Sequence, residues 1–135
     1  MPNYSDSLIK EILATTKTIA VVGISARETQ PSHYVAKYLM QNGYTVIPVN
    51  PVLQEVLGQR CYPSLFDIPL KVDMVDCFRA TEHLEQLVKD AIQIKAHTVW
   101  MQLGLEHHEA SQLAEAKGLK VIQDRCTKIE HQRLF

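Results

Sequence analysis

The residues with most chemistry to offer fall in three short stretches. The first follows an apolar run: Gly23, Ile24, Ser25, Ala26 and Arg27 read as a phosphate loop. A glycine lets backbone approach an anion, Ser25 supplies a hydroxyl, and Arg27 adds a charge-assisted contact. Pro31-Ser32 then reads as a helix opening, whose free N–H groups and positive dipole end would face the same anion. The second stretch places Cys126 beside Arg125, with Lys128 and His131 following. Nearby positive charge lowers a thiol pKa and favours disulfide exchange. The third, Glu106-His-His-Glu109, holds metal-ligating types. Adjacent helical residues point ~100° apart, so the pair reads as a solvated helix start rather than a metal site. His33, His83 and His97 are scattered and read as structural or solvent-facing. No Ser/His/Asp order forms a triad, and no carboxylate pair is spaced for acid–base work.

Alternating elements must position these residues. Residues 5–14 read as an amphipathic helix capped by Ser5 or Ser7, with Leu8, Ile12 and Leu13 on one face. The β-branched run 18–23 reads as a strand buried on both faces. A helix follows over 33–41, stopped by Asn42-Gly43. Residues 44–49 form a second strand, ended by Asn50-Pro51, with Pro48 as an awkward interior residue. Residues 52–66 read as loop with one short turn. The third strand covers 72–78, and Thr81 reads as the cap of a helix reaching about Lys95. Residues 98–103 are the fourth strand, 106–117 a helix, 119–122 the fifth strand, and 124–135 a polar tail. The alternation predicts an α/β fold: a Rossmann-like, doubly wound parallel sheet of about five strands with helices on both faces. Ligands of such sheets bind beyond the carboxyl ends of the strands, where strand order reverses.

The second strand end discriminates among nucleotides. An NAD site places an acid there, about 20 residues past its glycines, to hold the ribose hydroxyls. Here Asn50 stands between Val49 and Pro51, and Gly23 is the only glycine of the G-x-G-x-x-G pattern present. A ligand with phosphate on its ribose suits that place better than NAD.

The bulk properties exclude several classes. With 135 residues, 46% hydrophobic and 21% charged, the chain (1–135) reads as one globular domain. A net charge of −1 and a pI near 6.6 give no field for nucleic acid or an anionic membrane. An anionic ligand must therefore be caught locally. Tyr34, Tyr38 and Tyr44 have no basic interleaving, and Trp100 reads as core. Cys61, Cys77 and Cys126 form no CxxC pair, which argues against a disulfide framework or structural zinc. Residues 1–10 carry no signal-peptide pattern, and no apolar run approaches ~18 residues, so a reducing, cytoplasmic setting is expected.

Residues 19–25, 44–51, 72–79, 99–104 and 124–131, in that order, closely resemble the small single-domain CoA-binding proteins. Those are similar to the N-terminal CoA-binding domain of the succinyl-CoA synthetase α subunit. The resemblance implies coenzyme A or an acyl-CoA as ligand. Gly23, Ile24, Ser25, Ala26 and Arg27, with Ser32, would surround the phosphates. Val49, Asn50 and Pro51 would flank the adenosine, and Phe78, Arg79, Gln102 and Gly104 would border the rest. Members often carry lysine and glycine in the phosphate loop, whereas this one reads Ala-Arg-Glu-Thr-Gln-Pro over 26–31 and brings in the negative Glu28. In the larger synthetases the catalytic histidine lies outside this domain, so binding without autonomous catalysis is expected. The alternatives are a small NAD(P)-linked enzyme, a CoA-dependent transferase using Cys126, and a ligand-free subunit docking on a larger synthetase. The sheet edges leave room for a homodimer.

Overall fold

The run Thr-Ile-Ala-Val-Val has no polar residue after its first position, and it forms β1 (Thr18–Val22), buried from Ile19 onward. The computed structural model describes residues 3–135. On one side β1 pairs with β2 (Thr45–Val49), on the other with β5 (Met74–Cys77), both parallel. The sheet continues through β6 (Thr98–Met101) to β7 (Lys120–Ile122), giving the order β2-β1-β5-β6-β7. Strand order therefore reverses between β1 and β5, and a crevice opens at their carboxyl ends.

Alternation along the strands sorts side chains between two cores. Ile19, Val21, Met74, Trp100 and Ile122 face α1 (Asp6–Thr15), α2 (Pro31–Gln41) and α5 (Thr127–Leu134). Ala20, Val22, Val75, Cys77, Val99 and Met101 face α3 (Leu84–Gln93) and α4 (His108–Ala116). Ser5 caps α1 by accepting from the Leu8 N–H at 3.1 Å. Trp100 is fully buried, and its indole N–H donates to the Arg125 carbonyl at 2.8 Å.

Pro48 is tolerated because β2 is an edge strand. Its carbonyl accepts from the Tyr62 N–H on the outer side, and its ring nitrogen faces the same way, so no ladder bond is lost.

Three expectations need correction. Residues 52–66 contain a hairpin, β3 (Glu55–Val56) and β4 (Gln59–Arg60), turned by Leu57 and Gly58 in left-handed conformations. Thr81 does not cap a helix; a 3₁₀ turn over Thr81–His83 leads into α3, with no side-chain cap bond. The polar tail is helix α5. Its own apolar pattern is weak, and it is fastened by others: Arg133 pairs with Asp6 at 2.8 Å, and the Tyr38 hydroxyl meets His131 Nδ1 at 2.6 Å. His107 caps α4 through Nδ1, which accepts from the Ala110 N–H at 3.1 Å.

Candidate functional site

A cleft of about 900 Å³ lies over the carboxyl ends of β1, β5 and β6, walled by the starts of α2 and α5. Its size sits at the upper end for small-molecule sites. Gly23, Ser25, Arg27 and Ser32 line it from the β1 side, Phe78 and Arg79 from the end of β5, and Gln102 from the end of β6.

The loop after β1 is folded against the start of α2. The Ser25 N–H donates to Ser32 Oγ at 2.9 Å, and the Arg27 N–H donates to Ser25 Oγ at 3.1 Å. The Ser25 carbonyl is 2.9 Å from His33 Nδ1. Both serine oxygens thus act as acceptors toward backbone, which leaves both hydroxyl hydrogens for the cleft. Pro31, the first residue of α2, brings no N–H to tie up, and the helix start carries positive partial charge. Arg27 and Arg79 add two cations. Gly23, at φ +90°, packs against the Phe78 carbonyl and the Arg79 side chain, which brings the ends of β1 and β5 together.

The other residues singled out from the sequence are placed differently. Ile24 is fully buried in the core beneath the loop. Ala26 is exposed and lies off the cleft wall, as does Glu28. Val49 is buried in β2, and Pro51 is exposed at its exit. Asn50 ties its own turn to the loop after β1: Oδ1 accepts from the Val52 N–H at 2.8 Å, and Nδ2 donates to the Ile24 carbonyl at 2.9 Å. Gly104 donates its N–H to Asp124 Oδ1 at 2.7 Å, joining the β6 exit to the approach to α5.

Sequence reasoning missed the far wall. Lys128, Ile129 and Gln132 of α5 line the cleft, together with Tyr34 and Val35 of α2 and with Leu103 and Leu105. The spacing of 128, 129 and 132 is that of one helix face, a signal obscured by reading the segment as a tail. Lys128 Nζ lies 5.2 Å from the Tyr34 ring, linking the two walls. Tyr34, Leu103 and Ile129 are exposed apolar side chains on the cleft wall, which suits a ligand with an apolar part.

Cys126 also lines the cleft, but not as an activated thiol. Burial pushes its pKa up, against the pull of the Ile129 and Lys128 amides. Arg125 lies over the Tyr4 ring, 5.4 Å away. The carboxyl of Asp76 lies in the floor beneath the cleft, fully buried and pushed up to about 7 by desolvation. Gln102 and Thr127 donate to it at 2.6 and 3.1 Å, and these bonds offset only part of the burial cost.

The family model described as CoA binding domain matches residues 17–132. Among curated proteins, YneT of Bacillus subtilis is 42% identical over 97% of both chains. Acetate–CoA ligase (ADP-forming) I of Archaeoglobus fulgidus is 30% identical over 86% of this chain, which spans only 18% of that enzyme. Among solved structures, a protein from Pyrococcus horikoshii OT3 superposes with a TM-score of 0.94 at 42% identity, covering 98% of this chain and 93% of that one. A Thermus thermophilus protein gives 0.93 at 36% identity, covering 98% and 100%.

Proposed function

Because the chain belongs to the CoA binding domain family, we propose that its cleft holds coenzyme A or an acyl-CoA and that it does so without autonomous catalysis. The observation that carries this reading is convergence. The hydroxyls of Ser25 and Ser32, whose oxygens accept only from backbone, the start of α2, Arg27 and Arg79 all line one cleft at the β1/β5 reversal. An anionic group sits at that end, and the apolar wall of Leu103, Leu105 and Ile129 receives the remainder. CoA carries both features: a pyrophosphate with a ribose 3′-phosphate, and a long uncharged arm. Asn50 in place of an acid favours a phosphorylated ribose over NAD.

The protein acts in this account as a binding module that senses, buffers or presents the ligand. The thiol on the cleft wall is held protonated by burial, which fits binding better than acyl transfer through Cys126. Three free cysteines suit a reducing compartment, and we place the protein in the cytoplasm.

Thermal unfolding with CoA, dephospho-CoA, NAD and ATP ranks the candidates. CoA at one hundred times its Kd adds about 2.7 kcal/mol by mass action. The expected order puts CoA first, dephospho-CoA below it, and NAD and ATP lower still. A shift from NAD equal to that from CoA would overturn the reading.

A further inference from the structure

We propose that Gln102 Oε1 accepts a hydrogen bond from an amide N–H in the ligand's arm, and that Asp76 is the positioning residue that turns this oxygen toward the cleft. The inference rests on the CoA reading above and adds the direction in which the ligand lies.

Gln102 follows β6, lines the cleft and is 5% exposed. Its Nε2 is 2.6 Å from Asp76 Oδ1 and 3.0 Å from Thr127 Oγ1, while Thr127 Oγ1 donates to Asp76 Oδ2 at 3.1 Å. A glutamine amide has two hydrogens, and both are spent here. Its carbonyl oxygen has two lone pairs, and no described residue donates to it. No buried side-chain polar atom among the described residues is both sealed from the surface and without a partner. Oε1 therefore reaches the cleft as an unused acceptor on a side chain otherwise buried in the floor.

The orientation is fixed by Asp76. Turning the amide over would set Oε1 against a carboxylate oxygen at 2.6 Å, two acceptors with no hydrogen between them. A protonated Asp76 permits this arrangement too, its hydroxyl donating to Thr127 while Oδ1 accepts from Nε2. Only the ionised carboxylate excludes the turned amide, so the titrations below are run at pH 8, above the value of about 7 to which burial raises Asp76. The three residues come from β5, from the end of β6 and from the first position of α5, so they also lock the cleft floor to its far wall.

A fixed acceptor selects its partner. It repels phosphate and carboxylate and attracts an uncharged N–H donor. The Ser25, Ser32, Arg27 and Arg79 end does the reverse. The arm of CoA carries two secondary amides between methylene segments, which suits an acceptor flanked by Leu103, Leu105 and Ile129. The phosphates then lie at the α2 end and the arm runs past Gln102.

The test compares CoA with adenosine 3′,5′-bisphosphate, which has the nucleotide end and no arm, by calorimetric titration of the full chain. Gln102→Met is expected to lose roughly tenfold in CoA affinity while its affinity for the bisphosphate holds. Asp76→Ala is expected to lose the same preference for CoA over the bisphosphate. Asp76→Asn, whose Oδ1 still accepts from Nε2, should restore most of it, which gives the answer even if Gln102→Met folds poorly. Equal losses for both ligands, or no rescue by asparagine, would overturn this inference and leave CoA binding standing. Failure of the unaltered protein to bind either ligand would overturn both.

Discussion

Gly23→Ala is expected to lower stability by about 2–4 kcal/mol and to weaken ligand binding at the same time. Two costs combine. The φ of +90° lies in the left-handed region, where a side chain costs roughly 1–2 kcal/mol. A Cβ at Gly23 would also sit 2.8 Å from the Phe78 carbonyl oxygen and 2.8 Å from Arg79 Cδ. Arg79 can swing aside, but Phe78 O belongs to backbone held by the Phe78 N–H bond to the Val22 carbonyl at 2.9 Å. Relief requires the ends of β1 and β5 to part, and those ends form the anion side of the cleft. Gly43→Ala is the control: its φ is +93°, yet a Cβ there meets nothing within 4 Å. Denaturant unfolding of both variants separates the terms. A Gly23→Ala cost no larger than that of Gly43→Ala would show that the close approach does not matter.

Asp76→Asn is expected to stabilise the protein most at pH 8, by less at pH 5, and to do little at pH 4. Burial raises the Asp76 pKa from 3.8 to about 7 in the folded chain. Below pH 4 both states hold the proton and the carboxyl is no burden. Between pH 4 and 7 the unfolded chain has released the proton and the folded chain keeps it, so stability falls as pH rises. Above 7 the loss is complete, on the order of 4 kcal/mol. Asparagine supplies the same oxygen to Gln102 and a donor to Thr127 without a charge, so it removes the slope. His97 and His131, both lowered by desolvation, act the other way, withdrawing stability as pH falls through their folded values. They are common to both proteins and cancel in the difference. Melting temperatures from pH 4 to 9 provide the readout. A variant less stable by the same amount at pH 5 and pH 8 would mean that the carboxylate is charged and favourable where it lies.

The parallel sheet was legible because its signals are local: β-branched runs, glycine stops and intervening helical spacing. The parts that escaped are held by distant partners. Helix α5 has Thr127 and Glu130 buried and few apolar residues, and Asp6 and Tyr38 hold it in place from far along the chain. The hairpin at Leu57-Gly58 lacks the Asn-Gly pair that would announce it. Asp76 sits in a strand whose pattern predicts an apolar side chain, paired between Val21 and Trp100. Only its partners, Gln102 and Thr127, make that position tolerable, and no spacing rule joins them. For the site, the β1 turn and the strand ends were readable from topology. The α5 wall was not, since a helix unread cannot present a face. Asn50 was singled out by its place at a strand end, yet its amide is consumed in joining the turn that follows it to the Ile24 carbonyl of the loop after β1, a role that depends on how two distant stretches of chain meet.

Isothermal titration of the unaltered protein with CoA at neutral pH asks whether the cleft over β1, β5 and β6 is a CoA site. A saturable isotherm with one CoA per chain is expected, with weaker binding on removal of the 3′-phosphate. No measurable binding at millimolar CoA, or saturation that is indifferent to Arg27→Ala combined with Arg79→Ala, would contradict it.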